Sequence, residues 1–156
     1  MEQKEFYQLL GQITFSYSKI EFLLSEIAVD IGIVNNTSDF YALQGYINKI
    51  QRLKSRLTKI DFDMQLQEEL INWLTEIEVL GKKRNKLIHS IILRNENNFK
   101  IFYYKKENNN VIREIINYSL FDLTALNENF IKAYNDGFKI WEYLDDANNA
   151  KKESAK

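Results

Sequence analysis

A short polar segment near the middle of the chain contains the residue types from which a phosphate-handling site could be built. Arg84, Asn85 and His89 lie within six residues of one another, and His89 is the single histidine of the chain. An arginine can hold a phosphate through two parallel hydrogen bonds, an asparagine can donate and accept, and a histidine can move a proton near neutral pH. Together they suit phosphate binding with a proton transfer beside it.

This segment closes a long amphipathic helix that we predict from Met64 to His89. Apolar residues recur at alternating steps of three and four from Leu66 to Leu80, which places them on one helix face directed at a core. Arg84 continues this apolar stripe, and a guanidinium at a core position is costly unless it has a partner or a wet cleft. Arg84 and His89 lie about 140° apart around the helix, so we expect them to flank one groove.

Periodicity predicts three further helices and a β-hairpin. Apolar stripes predict helices over residues 2–31 and 39–59, and a capping box precedes a stripe that predicts a helix over 121–144. Residues 99–105 and 111–116 are rich in aromatic and β-branched residues, which predicts two strands paired as a hairpin. The predicted fold is mainly α, a four-helix up-down bundle with a β-hairpin inserted between helices 3 and 4.

The first predicted helix carries a second set of apolar residues. Phe15 and Phe22 lie away from its main stripe. They indicate a second buried surface, formed either with a partner helix or in a dimer interface.

One domain is expected from the length of 156 residues. It should cover residues 1–145, and we expect residues 146–156 to be a disordered tail because they are polar. The chain has no cysteine, which excludes disulfides and thiolate chemistry and fits a reducing compartment. Its start lacks a signal-peptide pattern, and no apolar run approaches the roughly 20 residues of a membrane span. A cytoplasmic protein without membrane contact is therefore expected.

The basic residues are clustered, although the net charge of −1 gives no overall attraction for nucleic acid. One acid-free basic run begins at residue 49, and a second begins at residue 82. A solvated helix face explains either run alone, whereas the two together favour an anionic ligand. The candidates for phosphate or RNA contacts are Lys49, Arg52, Arg56, Lys59, Lys82 and Lys83.

RNA cleavage is a reaction that such residues could catalyse, because RNA carries its own nucleophile in the 2′-hydroxyl. The reaction needs a base, an acid and positive charge on the phosphate. With one histidine in the chain, either two protomers bring two copies of His89 to one site, or Tyr17, Lys86 or Glu21 takes one of the two roles. No carboxylate–histidine cluster in the sequence suggests a metal, and no cofactor is expected.

The order Arg84-Asn85-x-x-x-His89 late in a long helix, with the predicted helix layout, resembles the HEPN superfamily of small helical proteins. The resemblance covers residues 1–145 and implies a metal-independent ribonuclease with a composite site in a homodimer. Arg84 would bind the scissile phosphate, Asn85 would orient the phosphate or His89, and His89 would transfer the proton. The products would be a 2′,3′-cyclic phosphate and a 5′-hydroxyl. Glu21 matches an acidic position that HEPN proteins often carry in the first helix.

The resemblance also implies a toxin or a phage-defence factor, with tRNA among the candidate substrates and a separate chain as antitoxin or partner. One HEPN subgroup, paired with nucleotidyltransferase antitoxins, has a tyrosine two residues after the histidine, where this chain has Ile91. That regulation is therefore not expected.

Two interpretations without catalysis stay open. One is a HEPN-like module that binds RNA, nucleotide or a partner protein. The other is a structural bundle in which Arg84 forms an ion pair with Glu21 or Glu78.

Overall fold

The computed structural model describes residues 2–43, 45–59, 63–95, 98–108 and 110–154. Over these residues the chain is mainly helical, with five helices and one three-stranded antiparallel sheet, which confirms the predicted mainly α class. None of these helices combines the length and the apolar composition that a membrane span requires. The elements in chain order are α1 (Glu2–Asp30), α2 (Thr37–Ala42), α3 (Tyr46–Leu57), α4 (Met64–Ile88), β1 (Ile91–Asn95), β2 (Asn98–Glu107), β3 (Asn110–Tyr118) and α5 (Leu120–Ser154).

One apolar core connects the helices. α1 packs on α5, and α4 packs on both α5 and α3. The stripe of α1 is fully buried at Ile13, Ile20 and Leu24, and the stripe of α4 is fully buried at Leu70 and Ile77. Complete burial of one such side chain contributes about 1.5–3 kcal/mol. The two stripes therefore determine which faces of α1 and α4 meet the core. They also determine the direction in which the side chains of the last turns of α4 point.

The helix predicted over residues 39–59 is divided into α2 and α3. Gly45 separates them with a φ of +74°, a left-handed backbone conformation that glycine adopts without steric cost and that interrupts helical geometry. The Gly45 carbonyl then accepts the first hydrogen bond of α3 from the Lys49 amide at 3.1 Å. The prediction of one continuous helix here is wrong, and the break lets α3 take its own direction against α4.

The predicted hairpin belongs to a larger sheet. β2 and β3 pair antiparallel with Ile101 opposite Ile116, as predicted for two strands. β1 adds a third strand by pairing with β2, with Ile92 opposite Ile101. Because β1 begins at Ile91, the chain passes from the end of α4 into the sheet almost without a connection. The segment from Arg84 to His89 therefore lies at a junction between helix and sheet.

α5 extends beyond its predicted end. The prediction ends this helix at Leu144, whereas the helix continues to Ser154. Asn148 on the extension donates a hydrogen bond of 3.2 Å to the backbone carbonyl of Asp30, at the end of α1. The predicted helix boundary is therefore wrong, because polar contacts replace the apolar stripe that the prediction required. The division between domain and tail stays a prediction.

Candidate functional site

The guanidinium group of Arg84 lies against the first helix. Its Cζ is 4.6 Å from the centre of the Tyr17 ring, which is the distance of a cation–π contact. Its Nη1 donates a hydrogen bond of 3.2 Å to Oδ1 of Asn85. Its Nε is buried and makes no hydrogen bond to any residue that the structure describes. An aromatic ring and an amide therefore position this arginine, and part of its donor capacity is unused.

The carboxylates that could have neutralised Arg84 bind lysines instead. Glu21 accepts a hydrogen bond of 2.9 Å from Lys49 Nζ, and Glu78 is bound by two lysines of α3 and α4. Across the described parts of the chain, Arg84 forms no salt bridge. The interpretation of Arg84 as the ion-pair partner of Glu21 or Glu78 is therefore wrong. The positive charge of this partly buried side chain is available to an anion.

Two stacked tyrosines hold the surface on which Arg84 rests. The rings of Tyr17 and Tyr46 lie 4.7 Å apart, and the Tyr46 hydroxyl donates to the Ile77 backbone carbonyl at 3.4 Å. Gly81 leaves room for this ring, because a Cβ at that position would stand 2.8 Å from Tyr46 Cδ1. The sequence analysis missed Tyr46. The available signal was a glycine inside a helical pattern, three residues before Arg84.

Burial raises the pKa of both tyrosines. For Tyr17 burial is the largest cause, the charge of Glu21 raises the pKa further, and Arg84 lowers it in part. For Tyr46 burial again comes first, followed by the neighbouring Tyr17 and Glu21. Both phenols are therefore protonated at neutral pH. Tyr17 can donate a proton or a hydrogen bond to an anion beside Arg84, but it cannot serve as a base there.

His89 lies at the end of α4 and is exposed. Its backbone N–H donates to the Asn85 carbonyl at 3.0 Å, which makes His89 the last residue held by the helix. A cationic side chain at this end interacts favourably with the helix dipole. The imidazole makes no hydrogen bond to another residue of the described ranges. It is therefore accessible to a substrate or to a second copy of the chain.

The remaining predicted site residues differ in accessibility. Lys86 Nζ binds Glu114 Oε1 of β3 at 2.7 Å, so Lys86 links α4 to the sheet. Lys49 is only 5% exposed and is paired with Glu21. Lys49 therefore does not fit its predicted role as an RNA contact, and Glu21 is not an ion-pair partner of Arg84. The exposed members of the predicted basic set are Arg52, Arg56, Lys59, Lys82 and Lys83.

A shallow groove runs along the exposed side of α1 and reaches the end of α4. We call it the α1 outer surface, and its lining residues are Tyr7, Leu10, Gly11, Thr14, Phe15, Ser18 and Ile88. Phe15 is 65% exposed and Phe22 is 52% exposed, so the second surface predicted from them is not buried inside one protomer. Ile88, the last residue of α4, lines the groove, and His89 follows it directly in the chain.

A second cavity, of 720 Å³, lies away from the motif. It is formed by the first half of α4 and by α5, with Trp73 and Tyr143 among its walls and four carboxylates around them. An acidic lining repels phosphate, so this cavity does not suit the chemistry of the Arg84 segment.

Comparison with models of protein families, with curated proteins and with solved structures gave no match for this chain. Within the described ranges, no group of three or more histidine, cysteine, aspartate or glutamate side chains converges as a metal site requires. The geometry of the Arg84 segment and the resemblance of its motif are therefore the grounds on which a function can be assigned.

Proposed function

We propose that the chain is a metal-independent endoribonuclease of the HEPN type, which cleaves RNA by attack of the 2′-hydroxyl at a site shared by two protomers. The observation that carries the proposal is the charge of Arg84, which Tyr17 and Asn85 position and which no described carboxylate neutralises. A partly buried cation of this kind is stabilised when a phosphate binds to it. The longer helices α1, α3, α4 and α5 would then form the up-down bundle of that superfamily.

In the proposed reaction Arg84 holds the scissile phosphate and offsets the charge that develops on it. Asn85 accepts a hydrogen bond from the guanidinium, so we assign to it the orientation of Arg84. His89 transfers the proton, and the products are a 2′,3′-cyclic phosphate and a 5′-hydroxyl. A positioned donor of this kind typically contributes about 10²–10³-fold, and a general acid or base contributes about 10²–10⁴-fold.

A second proton-transfer group is needed, because one histidine cannot be base and acid in the same step. In the proposal the second copy of the chain supplies it. The α1 outer surface is the interface we assign to the dimer, because its aromatic residues are exposed and Ile88, one residue before His89, lines it. Tyr17 is the alternative acid, since its raised pKa keeps its hydroxyl protonated.

A cleavage assay in EDTA tests the proposal. Wild type, Arg84→Ala, His89→Ala and the control Lys139→Ala, an exposed cation of α5, would be incubated with varied RNAs that include tRNA. We expect wild type and the control to leave cyclic-phosphate ends, and the two site variants to cut at least about 100-fold more slowly. Undiminished cleavage by either site variant would refute the assigned roles.

The shared site has a separate test. Phe15→Asp should dissociate the dimer in analytical ultracentrifugation and lower the cleavage rate, whereas Tyr143→Asp, on the exposed side of α5, should do neither. Tyr17→Phe removes the hydroxyl and keeps the ring under Arg84, so two copies of His89 predict an unchanged rate. A loss of about 10²-fold or more in Tyr17→Phe would give the acid role to Tyr17 instead.

A non-catalytic HEPN-like module that binds RNA, nucleotide or a partner protein is the second candidate. It is favoured by the His89 ring, which no described side chain orients through a hydrogen bond, whereas catalytic imidazoles usually have such a partner. RNA binding that Arg84→Ala abolishes, without cleavage by any variant, would support this candidate.

The proposed biological role, a toxin or a phage-defence factor with a separate antitoxin or partner chain, comes from the resemblance. It predicts that expression of the chain alone arrests bacterial growth. His89→Ala should relieve that arrest, and growth arrest by the His89→Ala protein would separate toxicity from the proposed site.

A further inference from the structure

The side of the sheet that faces away from the helices has two aromatic residues, which lie two positions apart on β2. Successive side chains of a strand point to opposite faces. Phe99 and Ile101 of β2 are buried toward the helices, so Phe102 and Tyr104 of the same strand lie on the other face. We call this the outer sheet face and define it by Lys100, Phe102, Tyr104 and Lys106 of β2 with Arg113 and Ile115 of β3.

This face is exposed in the protomer. Tyr104 and Ile115 are each 48% exposed. Ile115 pairs with Phe102 from one side, and Ile91 of β1 pairs with Phe102 from the other. Arg113 lies directly opposite Tyr104 in the register, and its Cζ is 5.9 Å from the centre of the Phe102 ring. Phe102 and Tyr104 therefore lie two positions apart on one face of β2, with Arg113 opposite Tyr104 and its guanidinium near the Phe102 ring.

The charge of the outer sheet face is uniformly positive. Lys100, Lys106 and Arg113 lie on it, and among the described residues of the three strands no carboxylate does. The glutamates of these strands, Glu107 and Glu114, point to the opposite face, where each binds a lysine. This face therefore offers three cations whose charges are not neutralised within it.

We propose that the outer sheet face binds single-stranded RNA, with bases stacked on Phe102 and Tyr104 and phosphates near the three cations. Stacking on aromatic side chains combined with a basic surface is the general way in which proteins hold unpaired nucleic acid, because every base has a flat π face. A duplex keeps its base faces stacked and cannot use these rings. The assignment of the strand as RNA rests on the proposed ribonuclease function, which the inference deepens by naming unpaired RNA as the substrate form.

The charge distribution favours a polyanion over a second copy of the chain. Two copies joined through this face would bring six cations together without a carboxylate, and like charges in an interface are unfavourable. The residues that line the α1 outer surface carry no charge, so that surface suits self-association better. The two surfaces can thus serve two different occupants.

The outer sheet face is also connected to the candidate site. β1 begins two residues after His89, and Lys86 of α4 binds Glu114 of β3 at 2.7 Å. The sheet that bears the outer face therefore follows directly on the end of α4, where His89 is exposed.

Fluorescence anisotropy on the full chain tests the inference with a labelled, single-stranded 2′-O-methyl RNA of about 12 nucleotides, a length within typical site sizes. The 2′-O-methyl group blocks cleavage, so binding is measured independently of the reaction. Tyr104→Leu removes the ring and keeps an apolar side chain, and Tyr104→Phe keeps the ring. We expect Tyr104→Leu to weaken binding about 5- to 50-fold, and Tyr104→Phe to bind like wild type.

Two control variants and one further test variant are measured in the same assay. Tyr143→Leu replaces another exposed tyrosine, which lies on α5 and is 60% exposed against 48% for Tyr104, and it should leave the affinity unchanged. Arg113→Gln should lower the slope of log affinity against log salt by about 0.7, the value for one phosphate contact on a single strand, whereas Lys139→Gln should not. Circular dichroism melts establish that each variant folds before its affinity is compared.

Equal affinity of Tyr104→Leu and Tyr143→Leu would overturn the inference, as would tighter binding of a duplex than of the single strand. A change of sedimentation in Tyr104→Leu would assign this face to a protein partner and also overturn it. Binding that depends on Tyr104 without any cleavage by wild type would refute the ribonuclease proposal alone. Cleavage with an unchanged KM in Tyr104→Leu would refute the inference alone.

Discussion

Replacing Arg84 with methionine should stabilise the protein while it abolishes cleavage. Methionine is as long as the arginine side chain up to Nε, and it places an apolar, flexible group on a helix stripe that is otherwise apolar. A residue retained for its chemistry at the cost of stability is expected to behave in this way. A residue retained as a structural ion-pair partner would do the opposite.

The structure gives the size of the expected effect. Removing the buried Nε, which has no described acceptor, relieves about 1–3 kcal/mol. Losing the hydrogen bond to Asn85 costs about 1 kcal/mol. The cation–π contact with Tyr17 contributes about 0.5–1 kcal/mol, and a sulfur–aromatic contact of about 0.3–1.5 kcal/mol replaces it. The net gain is about 1 kcal/mol, or about 2–4 °C in a domain of this size.

Urea unfolding followed by tryptophan fluorescence measures the change, since Trp73 is buried in the core. Arg56→Met, at an exposed arginine of α3, is the matched control and should leave the free energy of unfolding unchanged. A loss of about 3 kcal/mol or more in Arg84→Met, the size that follows when a buried ion pair is broken, would refute the argument. It would mean that Arg84 has a structural partner after all.

Three further predictions concern the surroundings of the site. Glu21→Gln should lower the free energy of unfolding by about 2–3 kcal/mol, because it leaves Lys49, whose side chain is 6% exposed, without a counter-ion; a change below about 0.5 kcal/mol in urea unfolding would contradict this. Hydrogen bonds from two lysines hold the pKa of Glu78 below its ordinary 4.5, so its carboxylate stabilises the fold above that pH and the contribution is lost as pH falls through the folded pKa. Thermal melts of wild type and Glu78→Gln should therefore differ at pH 7 and converge as the pH falls through the folded pKa of Glu78, whereas a difference independent of pH would count against the assigned pairs. Gly81→Ala should destabilise the protein by about 1–2 kcal/mol and slow cleavage, because the added Cβ displaces the Tyr46 ring; a wild-type cleavage rate would show that the ring does not position the site.

The elements with a long, uninterrupted apolar stripe were predictable from the sequence. The prediction places the ends of α1 and α4 to within one residue, because the buried positions of a helix recur every three or four residues in the sequence. It misses the break at Gly45, since a glycine inside a periodic pattern is often tolerated in a helix. It also ends α5 at Leu144, because the extension to Ser154 is held by polar contacts that leave no apolar period.

The candidate site was predictable only in part. Arg84 stands out because it interrupts an apolar stripe, and that signal lies within one helix. Its supports, Tyr17 and Tyr46, belong to α1 and α3, and no periodicity relates residues so far apart in the chain. For the same reason the sequence could not show that Glu21 binds Lys49 and leaves the arginine without a carboxylate. The outer sheet face was not predicted from the sequence, because it depends on the register of three strands.

The two main residues of the motif are anchored with different strength. The Tyr17 ring holds Arg84 at a point inside the helix, whereas His89 is the C-cap that follows α4 and depends on a final turn that is tied to the sheet through the partly exposed Lys86–Glu114 pair. End turns of helices open at lower free energy than the structure as a whole. On warming, the histidine would lose its place while the arginine and the core are still intact. Any activity that needs His89 would therefore fade, and return on cooling, below the temperature at which the helices melt.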